Sequence, residues 1–289
     1  MVNARRRPTG LAAAVAAGLL LGGCGGDDDH DHDESASGQS ADAAESDFGH
    51  IHGLGVADDV LYVATHYGLF TVAEDQATEV SDDDHDFMGF TVVDTDSFLA
   101  SGHPNSRTDL PANLGLLEST DGGQTWDEVS LMGEVDFHAL DAKHGVVYGF
   151  DSATAELMRS DDHEDWERLG QLAMADVAIS PEDAESVIVT TEDGPALSAD
   201  GGAQFDVLDD APIIMLIDWP QPDQLVGVGP DGAVHRSADG GETWEAGADL
   251  DERPQAMTVA PDGEVYVALG QSIVVSTDGG QTFSEFYTW

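Results

Sequence analysis

Positive charge is almost missing from this chain. Nine lysines and arginines face 58 aspartates and glutamates in 289 residues, a formal charge of −49, and Lys143 is the sole lysine. Nucleic acids and anionic substrates need basic patches, so the charge argues against both as partners. Cysteine is nearly absent too: Cys24 stands alone, and no intramolecular disulfide can form. Long apolar runs are also lacking. The longest, Leu11 to Leu21, is too short to span a bilayer.

That run has a different use. Arg5-Arg6-Arg7 precedes it and strongly polar sequence follows, the pattern of a signal peptide over residues 1–23. It ends in Leu21-Gly22-Gly23-Cys24, which resembles the bacterial lipobox. The resemblance implies that Cys24 is lipidated, becomes the mature N-terminus and anchors the protein extracytoplasmically, on the outer face of the cell membrane. Residues 24–48 then form an acidic, low-complexity tether, including His30 and His32, that cannot bury a core and is expected to be disordered. Removing residues 1–23 takes away three bases and no acids, leaving a formal charge of −52. Acidity on this scale, spread along the chain, reads as adaptation to high salt, where screening relieves self-repulsion.

What the chain does have is a repeated turn. Ser119-Thr-Asp121-Gly-Gly-Gln-Thr-Trp126 recurs around Asp162, Asp200, Asp239 and Asp278, at steps of 41, 38, 39 and 39 residues. A fixed period of this size, built on strands and turns, marks a radial repeat. Aspartate and serine cap backbone N–H groups, paired glycines admit positive φ, and threonine with an aromatic starts the next strand. Around Asp162 the turn is one residue short and lacks the glycines; around Asp200 the threonine is gone.

The turn resembles the Asp-box, or BNR, repeat of sialidases, sortilin-type receptors, some glycoside hydrolases and photosystem-assembly propellers. The resemblance implies a β-propeller over residues 49–289, with the five aspartates in structural turns on the face opposite the ligand site. Working outwards from the turns gives six blades of about 40 residues, a size that suits four strands. Seven blades is the alternative, but no seventh inner strand is visible. Inner strands are expected near His50, Asp86, Asp136, Asp176, Ile214 and Gln255, and an insertion, 103–113, follows the second strand of blade 2.

Three of these inner strands align without gaps. His50-Ile-His52-Gly-Leu matches Asp86-Phe-Met88-Gly-Phe and Asp136-Phe-His138-Ala-Leu, so His52, Met88 and His138 share one position and His50, Asp86 and Asp136 another. His66 and His103 close second strands on the same rim. Five of the nine histidines beyond the tether therefore converge with two aspartates and a methionine. Imidazole with thioether suits copper, especially Cu(I), and imidazole with carboxylate suits zinc or Cu(II). The expected metal site has His52 and His138 as core ligands, completed by Met88 or by Asp86 and Asp136. His50, His66 and His103 lie around it.

Together with the lipobox, these three motifs resemble a family of bacterial lipoproteins described as glycosylhydrolase-like or exo-alpha-sialidase-like. Two readings stay open. One is a monomeric binding module for a metal ion or small ligand; the other is a glycoside hydrolase using a carboxylate pair such as Asp86 and Asp136. Sialidases hold the substrate carboxylate with three arginines, and only Arg107 is placed to overlook the rim here. The charge gives a prediction independent of that choice. The thermal midpoint should rise as KCl is raised into the molar range, and a midpoint indifferent to salt would refute the screening argument.

Overall fold

Twenty-four strands follow one another through residues 48–289, the part of the chain, Glu74 apart, that the computed structural model describes. The expected signal peptide, Cys24 and the acidic tether lie outside the described residues. The strands form six antiparallel sheets of four, each built from consecutive strands. The molecule is a six-bladed β-propeller, and seven blades are excluded. Second strands run Val60–Thr65, Ser97–His103, Val146–Asp151, Val187–Thr191, Gln224–Val228 and Val265–Ala268, within two residues of the apolar runs that announce them. These runs are apolar without alternation, as expected for a sheet covered on both faces. Val187 to Thr190 and Val265 to Ala268 are buried throughout.

The hydrophobic core is divided by the ring. Six buried clusters occupy the six blade junctions, each joining residues of two neighbours. Phe87, Phe90 and Phe98 of blade 2 meet Ala57, Ala64 and Leu69 of blade 1, for example. Outer strands such as Gln76–Glu79 and Asp127–Ser130 carry the exposed acids.

The recurring turns hold by one hydrogen-bond scheme. Ser119 Oγ donates to Asp121 Oδ1 at 2.9 Å and accepts the Gly123 N–H at 2.8 Å; Asp121 Oδ1 accepts the Thr125 N–H at 2.9 Å. The turns at Asp200, Asp239 and Asp278 repeat it. In the glycine-poor copy His163 takes the left-handed conformation, φ 66°, that Gly122 adopts at 72°. These bonds to the charged form hold all five carboxyls below their ordinary pKa. Register puts the turns at the end of the blade where inner and second strands are hairpin-linked. In blade 1, Leu61 pairs with Val72 at that end and Thr65 with Ile51 at the other. The histidine rim is therefore on the opposite face.

No strand is exchanged between the first and last blades, so side chains must close the ring. Phe48 is fully buried and packs its ring against Phe70 (5.2 Å), Tyr287 (6.0 Å) and Trp289 (4.9 Å). The Ile51 N–H donates to Gln255 Oε1 at 2.8 Å. Phe48→Ala should therefore destabilise the domain by about 3–5 kcal/mol, the usual cost of deleting a buried aromatic. Chemical denaturation measures this, and a loss under about 1 kcal/mol would show that closure lies elsewhere.

Candidate metal centre at the channel mouth

The inner strands surround an axial channel of about 890 Å³. His52, Met88 and His138 line it together, as their shared register requires. Shared register does not make them one ligand set. Potential ligand atoms gather instead into two triads, His52/His66/Asp86 and His103/Asp136/His138, each with its atoms within 4.8 Å of one another. His52 and His138, the expected core pair, belong to different triads. The reason is the blade junction. The end of one blade's second strand lies beside the start of the next blade's inner strand, so His66 meets Asp86 and His103 meets Asp136. Within blade 2, Gly102 permits the close pairing that sets His103 beside Asp86: at φ 150°, a Cβ there would collide with the Asp86 carbonyl.

The first triad is tight. His52 Nε2 lies 3.2 Å from His66 Nδ1 and 3.3 Å from Asp86 Oδ1, and His66 Nδ1 lies 2.9 Å from the same oxygen. That oxygen is buried between the two rings. Burial opposes the charge on Asp86, yet the two imidazoles outweigh it and hold its pKa below the ordinary value. His50 flanks the triad, its Nδ1 3.4 Å from His52 Nδ1. Burial, then repulsion by His52 and His66, lowers its pKa and favours the neutral ring that a metal requires.

In the second triad Asp136 Oδ2 lies 2.8 Å from His138 Nε2 and 3.6 Å from His103 Nε2, and accepts the Ser152 hydroxyl at 2.9 Å. Burial again opposes ionisation, and His138, Ser152 and His103 together overcome it, so Asp136 also titrates below its ordinary range.

Deeper in the channel is a network the sequence did not reveal. Asp176, expected to open an inner strand, is the third residue of Met174–Ile179 and so sits below the rim. It joins Asp141 and Asp218 around Lys143, whose Nζ donates to Asp141 Oδ2 at 2.7 Å. Each carboxylate also clasps the next blade: Asp141 accepts the Ile179 N–H at 2.7 Å, Asp176 that of Ile217 at 2.9 Å, and Asp218 that of Val259 at 2.8 Å. With one ammonium for three acids, burial and the neighbouring carboxylates push Asp176 up to about 7.

No arginine lines the channel among the described residues. Arg107 pairs with Asp84 at 2.6 Å, and Arg159, Arg168 and Arg236 pair with Glu185, Glu156 and Glu245 on outer parts of blades.

No family model matches the chain, and no curated protein matches it in sequence. Solved structures match in fold. The WD40 β-propeller domain of Doa1 superposes with a TM-score of 0.56 at 10% identity, covering 83% of each chain. Virginiamycin B lyase from Staphylococcus aureus gives 0.51 at 14% identity, covering 83% of this chain and 84% of its own. The GH74 xyloglucanase from Xanthomonas campestris gives 0.53 at 16% identity, covering 82% of this chain but 45% of that one. At these identities the likeness is one of fold alone.

The channel network predicts a pH response. Between about pH 4 and 7 folded Asp176 keeps a proton that the unfolded chain has released, so its contribution to stability falls as pH rises through that window. His50, His85 and His235, with lowered pKa values, act in the opposite sense below about pH 6.5. The comparison must therefore be differential. Relative to Asp176→Asn, wild type should lose stability from pH 5 to about 7 in molar KCl and level off above that, and parallel curves across the window would refute the assignment.

Proposed function

We propose that this propeller is an extracytoplasmic, membrane-anchored binding module that holds zinc or Cu(II) at His52, His66 and Asp86. The observation that carries this reading is the set of distances among the three ligand atoms, 2.9–3.3 Å. Donors about 2.0–2.1 Å from a tetrahedral ion stand about 3.3 Å apart, so the triad matches one face of a coordination shell with little movement. Two imidazoles and a carboxylate suit a borderline ion. Three protein ligands leave a position open, as in exchangeable or catalytic sites. The anchor and the location rest on the lipobox-like sequence at Cys24, and kinship with the Asp-box lipoproteins rests on the repeated turns and the rim motifs.

The glycoside hydrolase reading has less support. Asp86 and Asp136 are both held ionised by imidazoles, so neither is set up as the protonated acid that glycoside cleavage requires. Among the described residues no arginine lines the channel to receive a sialic acid carboxylate.

Chelator-buffered titration of the mature chain with Zn(II) or Cu(II) tests the proposal. Replacing His52 and His66 by Ala should weaken one bound equivalent by more than about 100-fold, beyond the range of outer-shell changes, with circular dichroism unchanged. Unchanged affinity in the double variant would overturn it.

A further inference from the structure

We infer that His103, Asp136 and His138 form a second, independent site for the same class of ion, across the junction of blades 2 and 3. The first support is a proton count. His103 Nδ1 lies 2.9 Å from the Ala112 carbonyl oxygen, which can only accept, so the ring proton is on Nδ1. Nε2 is thereby left as the ring's available ligand atom, and it faces Asp136 Oδ2 at 3.6 Å. A cation between the two atoms, whether a proton or a metal ion, would satisfy both. The second support is the carboxylate itself. Asp136 is 6% exposed, and its Oδ1 is buried without any hydrogen-bond partner.

The third is an outer shell already in place. The Ala112 carbonyl fixes the tautomer and orientation of His103, and the Ser152 hydroxyl fixes Asp136 Oδ2. Metal-binding histidines are held in this way by a carbonyl or carboxylate on the far nitrogen. Ala112 lies in the insertion that follows the second strand of blade 2, which gives that insertion a task. Metal entry requires His138 Nε2, now 2.8 Å from Asp136 Oδ2, to present its lone pair to the ion: a neutral ring moves the hydrogen to Nδ1, and a charged ring releases one proton to solvent and keeps the other on Nδ1.

The two triads are variants of one design. Each pairs the histidine closing a second strand with the aspartate opening the next inner strand. The second imidazole comes from the first of the two blades in one case, His52, and from the second in the other, His138. Blade 2 contributes to both sites.

The experiment counts equivalents. Mature chain in molar KCl is titrated with Co(II), whose visible spectrum distinguishes tetrahedral from hexaaquo ions, against a chelator that outcompetes surface carboxylates. Wild type, His66→Ala, His103→Ala and the double variant are compared. Two tight equivalents in wild type, one in each single variant and none in the double support the inference. Ser152→Ala, which spares every ligand, should weaken only the equivalent that His103→Ala removes, by about 10–100-fold. It also serves if His103→Ala fails to fold. One equivalent lost in His66→Ala and untouched by His103→Ala or Ser152→Ala overturns the second site and leaves the first. One equivalent lost only through His103 or Ser152 supports the second site and overturns the first. One lost in either single variant means a shared site and overturns their independence. No tight binding overturns both.

Discussion

A four-stranded sheet that is apolar on both faces cannot stand alone, and that constraint organises this molecule. Each blade covers its neighbour, so the core is six junctions rather than one centre. Stability then depends on an unbroken circle of contacts. The strand order adds a demand: because each sheet uses consecutive strands only, hydrogen-bond ladders do not tie the last blade to the first. The aromatic cluster around Phe48 and the bond from Ile51 to Gln255 carry that duty.

The junctions also explain how a chain so rich in one charge uses it. Carboxylates at the outer turns accept backbone and hydroxyl hydrogens and stay ionised. Those on inner strands reach across to the next blade's N–H groups, and crowding forces a proton onto one of them. Those at the rim meet histidines from the neighbouring blade. One residue type thus serves as turn cap, inter-blade clasp and, in the proposed sites, ligand, and its surroundings decide whether it is charged.

The sequence made the architecture legible because its periodic signals are local. Ser-x-Asp-Gly turns and unbroken apolar strands declare themselves within ten residues, and the strands lie where they indicated. The rim group was legible through register, which brought His50, His52, His66, Asp86, Met88, His103, Asp136 and His138 to one face. Register could not group them, since equivalent positions in successive blades are spread round the axis. Proximity arises instead between non-equivalent positions across a junction, which is why His52 and His138 part company. The network at Asp141, Asp176 and Asp218 stayed hidden because aspartate is too common here for any one to stand out. Lys143, alone of its kind, was its one sequence signal.

The contiguity of the blades has a consequence for the chain's history and handling. Since no sheet borrows a strand from the other end of the sequence, no blade marks a required beginning. Phe48 and Trp289 lie ring against ring, so a short peptide could join these ends and new termini could open between any two blades without dividing a sheet. The order of blades along the chain is thus one of six equivalent readings of a circle.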